Sequence, residues 1–108
     1  MKTLNEMAKD IHQSAVNHGF YEGESRSFGE IIALCHSELS EALEEYRGGK
    51  SLEYTENGKP EGIAVEMADC IIRILDWVGY TGADIDGAIA RKQAYNVNRP
   101  YKHGGKQM

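Results

Sequence analysis

The chain has 108 residues, of which 41% are hydrophobic and 27% charged, and its formal net charge is −5. This length accommodates one hydrophobic core, and the composition is typical of a folded domain rather than a disordered chain. The excess of acids argues against binding to a nucleic-acid backbone, which requires a surplus of Lys and Arg. Taken as a single number, the charge also argues against a phosphate-rich ligand.

Targeting signals and cysteines point to a cytoplasmic protein. The sequence has no run of about 18 apolar residues and turns polar directly after Met1, so we expect neither a membrane span nor a secretory signal. Cys35 and Cys70 lie among apolar residues, and neither belongs to a CxxC pair. We expect both to be reduced and buried.

Two capping boxes predict the first two helices. Thr3-x-x-Glu6 begins a helix that ends near Gly19. Ser27-x-x-Glu30 begins a longer helix that runs to Gly48-Gly49.

The second half of the chain predicts two more helices. Pro60 suits the first position of a third helix, which extends to Gly79, and Thr81 or Asp84 can cap a fourth, which fades near Tyr95. No stretch shows the alternation typical of a strand. We therefore expect a single all-α domain, residues 1–108, built as a four-helix bundle. We expect the link 50–59 to be mobile and residues 97–108 to form a basic tail.

Acidic residues form a stripe on the second predicted helix. Glu38, Glu41 and Glu45 fall within about 60° of one another on a helical wheel, at the border of its apolar face. Like charges at this spacing repel. No Lys or Arg lies between Glu30 and Tyr46 to compensate them.

The third predicted helix is apolar on nearly all sides, which is typical of a buried helix. Its polar residues, Glu66, Asp69, Arg73 and Asp76, occupy a wedge of about 80°. Because buried carboxylates are costly unless they are paired or bind a metal, this wedge should face a positive charge.

Two interpretations of the wedge remain open. In the first, Arg73 pairs with Asp69 and Asp76 along the helix. This leaves Glu66 and the glutamates of the second helix unpaired. In the second, the two acidic stripes face each other and bind a divalent cation.

All-oxygen ligands favour Mg²⁺, with Mn²⁺ as a possible substitute, over Zn²⁺. Di-iron bundles are excluded because they need Glu-x-x-His pairs, which this chain lacks. His36 points to a different side of the second helix from Glu38, so we do not expect it to be a ligand.

The spacing of four acids resembles the signature of the MazG-like all-α nucleoside triphosphate pyrophosphohydrolases. Glu38-x-x-Glu41 is followed, after 24 residues, by Glu66-x-x-Asp69. The resemblance extends over roughly residues 18 to 106. Its longest parts are residues 36–47, 66–76 and 95–106.

The resemblance implies Mg²⁺-dependent hydrolysis of a (d)NTP to the monophosphate and pyrophosphate, serving to clear non-standard or surplus nucleotides. It implies that Glu38, Glu41, Glu66 and Asp69 bind the metal. A carboxylate beside the attacking water would act as general base, with Glu41 the first choice and Glu45 the second. Members of the family usually form homodimers or homotetramers.

The substrate contacts are expected elsewhere. Residues 91–108 contain five basic side chains and no acid, so the body of the chain carries all 17 acids and seven bases. The net charge of −5 is therefore the sum of an acidic body and a basic tail, and it no longer argues against a phosphate-rich ligand. The resemblance implies that the stretch with Lys92, Asn96 and Arg99 lies near the phosphates. We expect Phe20, Tyr21 or Trp77 to stack on the base.

Two alternatives stay open. One is a narrower hydrolase specific for dUTP or dCTP. The other is a non-catalytic metal-binding or interaction bundle, in which the acids form a partner-binding face. An interaction face would not require both the acidic wedge and the basic tail.

Overall fold

The computed structural model of the chain describes residues 1–23 and 27–100 and confirms a mostly helical fold. Of the predicted basic tail, residues 101–108, including Lys102 and Lys106, lie outside the described part. The helices and strands are α1 (Leu4–Asn17), α2 (Phe28–Arg47), β1 (Tyr54–Glu56), β2 (Lys59–Glu61), α3 (Ile63–Thr81) and α4 (Ile85–Val97).

The predicted helix starts are confirmed for α1, α2 and α4. In the α1 capping box, the Thr3 hydroxyl accepts from the Glu6 N–H at 3.1 Å, and the Glu6 carboxylate accepts from the Thr3 N–H at 2.9 Å. Ser27 caps α2. Of the two candidates for α4, Asp84 is the cap, accepting from the Gly87 N–H at 2.9 Å.

The prediction that the chain has no strands was wrong. The link between α2 and α3 forms an antiparallel hairpin, β1–β2, in which Thr55 pairs with Pro60. Its turn is Asn57-Gly58, whose φ angles of 53° and 77° are the positive values that a two-residue hairpin turn needs. Pro60 therefore lies in a strand, where it is tolerated because the hairpin has two edges, and α3 begins three residues later.

The hairpin is anchored to the start of α3. The Ala64 N–H donates to the Leu52 carbonyl at 2.9 Å. Gly62, at φ +119°, lies so close to this carbonyl that a Cβ would come within 2.5 Å of its oxygen. Only glycine fits here, both for its backbone angle and for its size.

Helix α3 is the centre of the fold and packs along both α1 and α2. Ala8, Leu75 and Val78 form its buried core with α1. Helix α4 has no buried residue among those described and packs mainly against α1. The Asp86 carboxylate fixes that contact by accepting from the N–H groups of Leu4 and Asn5, at 3.2 and 2.9 Å. The packed unit among the described residues is therefore three helices with α4 at its edge.

The expectation that α3 is buried on nearly all sides was wrong for the single chain. Met67, Ile71 and Ile74 are between 41% and 52% exposed. On α2, Leu39 and Leu43 are about equally exposed. The expectation for the cysteines is confirmed, since Cys35 and Cys70 are buried and free. No helix in residues 1–23 and 27–100 has the length and apolar character to cross a membrane.

The contact between α1 and α3 predicts that Gly79→Ala destabilises the fold. A Cβ at Gly79 would lie 2.4 Å from the Ala8 carbonyl oxygen and 2.6 Å from the His12 Cβ. Because neither the backbone nor a Cβ can move aside cheaply, we expect a loss of about 1–3 kcal/mol in the free energy of unfolding, measured by urea denaturation.

Gly29→Ala is the matched control, because it also replaces a helical glycine. Its Cβ would meet nothing closer than 3.9 Å, so the change should stabilise α2 by up to about 1 kcal/mol. Equal effects of the two substitutions on stability would contradict the close approach of α1 and α3.

Candidate functional site

Three of the four signature acids meet between α2 and α3. Glu38, Glu66 and Asp69 each offer a carboxylate oxygen, and these oxygens lie within 4.8 Å of one another. Glu38 and Glu66 are only 8% and 9% exposed, while Asp69 is half-buried. Of the two interpretations left open, the structure therefore shows the one in which the acidic stripes face each other.

Arg73 compensates one of these charges. Its Nε donates to the Glu38 carboxylate at 2.9 Å. The first of the two interpretations paired Arg73 with Asp69 and Asp76 on the same helix, and neither ion pair occurs among the described residues. Arg73 links two helices instead, which leaves Glu66 without a basic partner in the part of the chain described.

The pKa of Glu66 is raised by its burial among other acids. Burial raises its pKa to about 7, with further contributions from a hydrogen bond with Glu41 and from the charges of Glu41, Asp69 and Glu38. The pKa of Asp69 is raised as well, first by burial and then by the charge of Glu38. A cation among these oxygens would offset both effects, so the donor set fits a hard divalent metal ion.

A second group of acids continues from the first. Glu45, Glu61 and Glu66 also offer carboxylate oxygens within 4.8 Å of one another. Glu61 comes from β2, so sequence reasoning missed it together with the hairpin. Asn57-Gly58 between polar, β-compatible residues was the signal that could have found it.

The two candidate general bases lie in different surroundings. Glu41 is exposed and contacts Glu66. Glu45 is half-buried and accepts hydrogen bonds from the Tyr54 hydroxyl, at 3.2 Å to Oε1 and 3.1 Å to Oε2. Both acids line an open groove of about 490 Å³, bordered at one end by Lys50.

A larger cavity of about 550 Å³ lies among the three packed helices. It is lined by Ile11, Ser14, Ala15, Phe20, Tyr21, Ile31, Leu34, Ile72, Arg73 and Asp76. The predicted base contact Phe20 lies at this cavity. Trp77 does not line it and packs against Phe28, with ring centroids 4.8 Å apart, and against the core.

The polar end of the cavity is held by a network that the sequence did not predict. Asp76 interacts with His12 Nδ1 at 2.9 Å and accepts from the Tyr21 hydroxyl at 2.7 Å. Arg73 lines the same cavity and reaches Glu38 in the acidic cluster. The cavity and the cluster therefore share one side chain.

The predicted phosphate contacts lie apart from the acids. Lys92 and Asn96 are on α4, and Arg99 follows it. Lys92 Nζ lies 4.9 Å and Arg99 Cζ 5.7 Å from the centroid of the Tyr95 ring. In the described part of the chain, none of the three contacts the acidic cluster.

Comparisons with protein-family models, with curated proteins and with solved structures found no match. The link to MazG-like hydrolases therefore depends on the sequence motifs alone.

The raised pKa of Glu66 predicts how Glu66→Gln changes stability with pH. The folded chain holds this proton up to about pH 7, whereas the ordinary carboxyl loses it near 4.5. Ionisation of Glu66 therefore destabilises the fold as pH rises through this interval. We expect Glu66→Gln to be more stable than the unchanged protein at pH 8 by over about 1 kcal/mol, with the difference shrinking toward pH 4.5.

Thermal unfolding at a series of pH values measures this difference. Glu44→Gln is the control, because Glu44 lies on the exposed side of α2 in a surface ion pair with Arg47, and its effect should stay below about 1 kcal/mol. Destabilisation by Glu66→Gln at pH 8 would show instead that the Glu66 carboxylate stabilises the fold.

Proposed function

We propose that the chain is a Mg²⁺-dependent pyrophosphohydrolase that cleaves a (d)NTP to the monophosphate and pyrophosphate. The observation that carries this proposal is the convergence of Glu38, Glu66 and Asp69 from two helices. Fold stability alone does not account for an unpaired buried glutamate beside two other acids, since such a group is costly. The MazG-like spacing of the same residues supports the assignment, and with it a MazG-type fold.

Four carboxylates would hold the metal. Glu38, Glu66 and Asp69 supply the converging oxygens, and Glu41 extends the set through its contact with Glu66. An all-oxygen set suits Mg²⁺, with Mn²⁺ as a substitute. Bound there, Mg²⁺ would neutralise charge on the phosphate oxygens of the substrate.

The general base is one of two glutamates, and their surroundings favour Glu45. Glu41 is engaged with Glu66, so we assign it to the metal. Among the described residues, the hydrogen-bond donor to Glu45 is the uncharged Tyr54 hydroxyl, so Glu45 stays available to accept a proton from the attacking water.

The cavity among α1, α2 and α3 is suited to the nucleobase. Its lining is mostly apolar, with Phe20 available for stacking and Asp76 for accepting a hydrogen bond. Asp76 would accept from the amino group of cytosine, which favours dCTP if the enzyme is base-specific. Because Arg73 borders both the cavity and the acids, a base and its phosphates can span the two.

The phosphate-binding residues require a second copy of the chain. Lys92, Asn96 and Arg99 do not contact the acids of their own chain in the described structure, and the apolar stripes of α2 and α3 are exposed. We propose a homodimer or homotetramer that buries these stripes and carries the basic residues to a neighbouring site. We place the enzyme in the cytoplasm, clearing non-standard or surplus nucleotides.

A non-catalytic interaction bundle is the second candidate. The observation that favours it is the ion pair between Arg73 and Glu38, which already compensates one of the four signature acids.

The proposed reaction predicts its products. With Mg²⁺ and a panel of NTPs and dNTPs, the protein should release pyrophosphate and monophosphate in equal amounts, measured by ion-exchange chromatography. Glu66→Gln should lower kcat by over about 100-fold, because it removes a central ligand oxygen. Asp10→Asn, at an exposed acid of α1 that pairs with Lys2, should leave kcat unchanged.

Release of orthophosphate, or absence of turnover with both Mg²⁺ and Mn²⁺, would contradict the proposed reaction. Absence of turnover would in addition favour the non-catalytic candidate.

A further inference from the structure

We propose that the β1–β2 hairpin is part of the catalytic apparatus and that Tyr54 is a positioning residue, which fixes the carboxylate of Glu45 for proton transfer. This inference rests on the proposed function. It concerns the link between α2 and α3, where residues 50–59 resemble the MazG-like family less than the four signature acids do.

The contact between Tyr54 and Glu45 constrains the carboxylate as a whole. The hydroxyl oxygen lies 3.2 Å from Oε1 and 3.1 Å from Oε2, so its single proton is shared almost equally between the two. A donor placed in this way restricts rotation of the carboxylate plane. Each oxygen keeps a further lone pair that can accept a proton from water.

The hairpin holds Tyr54 at a fixed place relative to the acids. Tyr54 pairs with Glu61 in the strand register, and Glu61 itself lies beside Glu45 and Glu66. The segment before β1 is held to the start of α3 by the hydrogen bond from the Ala64 N–H to the Leu52 carbonyl, and Gly62 packs directly against the same carbonyl. Tyr54 and Glu66 are thus tied to the same helix start.

A tyrosine is chemically suited to this position. Lys or Arg would pair with Glu45 as a cation and weaken it as a base, whereas a phenol donates without adding charge. Burial, followed by the hydrogen bond and the charge of Glu45, raises the pKa of Tyr54 to about 12. The hydroxyl therefore stays protonated and remains a donor at neutral pH.

Tyr54→Phe tests the inference by removing only the hydroxyl. We expect kcat to fall about tenfold, because the base loses its orientation, while KM for the nucleotide and the Mg²⁺ concentration at half-maximal rate stay within about twofold. Tyr46→Phe, at an exposed tyrosine on α2, is the matched control and should leave kcat unchanged.

A double-mutant cycle separates positioning from a structural role. If Tyr54 acts through Glu45, then Tyr54→Phe should have no further effect on kcat in Glu45→Gln protein, measured in single turnovers. A loss of the same size in both backgrounds, or a parallel change in KM and Mg²⁺ dependence, would overturn the positioning role.

Glu45→Asp tests the contact from the other side if Tyr54→Phe does not fold. Shortening the side chain draws the carboxylate away from the hydroxyl, so kcat should fall with KM unchanged, and an undiminished kcat would overturn the inference. If the unchanged protein is active and Tyr54→Phe has the same kcat, the role of Tyr54 is overturned and the proposed function stands. No turnover by the unchanged protein would overturn this inference together with the proposed function.

Discussion

The packing of α2 against α3 places Glu38 opposite Glu66 and removes both from water, and the rest of the site depends on this burial. Carboxylates brought together in this way repel each other and lose hydration, which is why the pKa of Glu66 rises to about 7. Arg73 offsets part of the charge by crossing to Glu38. Such an arrangement lowers the stability of the fold, and a cation bound by the acids would offset that loss.

Under the proposed function, the elements around this pair supply different parts of one site. The hairpin brings Tyr54 and Glu61 to the groove beside Glu45. On the other side, α1 and α3 enclose the cavity that shares Arg73 with the acids. Helix α4 stays at the edge of the fold, and under the proposed function its basic residues would serve a neighbouring chain rather than their own.

Local signals in the sequence predicted the helices and the acidic stripe on each of α2 and α3, because caps and helical periodicity depend on residues close in the chain. Whether the two stripes face each other depends on how the helices pack, and the sequence left that open. The sequence did not predict the hairpin, because strands of three residues are too short to show an alternation pattern. Asn57-Gly58 alone is compatible with a loop as well as with a hairpin turn. The partner of Arg73 depended on interhelical distances, for which spacing along α3 gives no information. The position of α4 depends on how whole helices pack, which spacing along the chain does not determine. The same holds for Trp77, which packs against the core rather than lining the cavity.

Titration of the protein with Mn²⁺, followed by the electron paramagnetic resonance signal of the free ion, tests most directly whether the buried acids form a metal site. We expect saturable loss of the free-ion signal with the unchanged protein, and loss of that binding in both Glu38→Gln and Glu66→Gln. Asp10→Asn, at an exposed acid of α1, should bind like the unchanged protein. Absence of saturable binding, or equal binding by Glu66→Gln, would contradict a metal centre between α2 and α3.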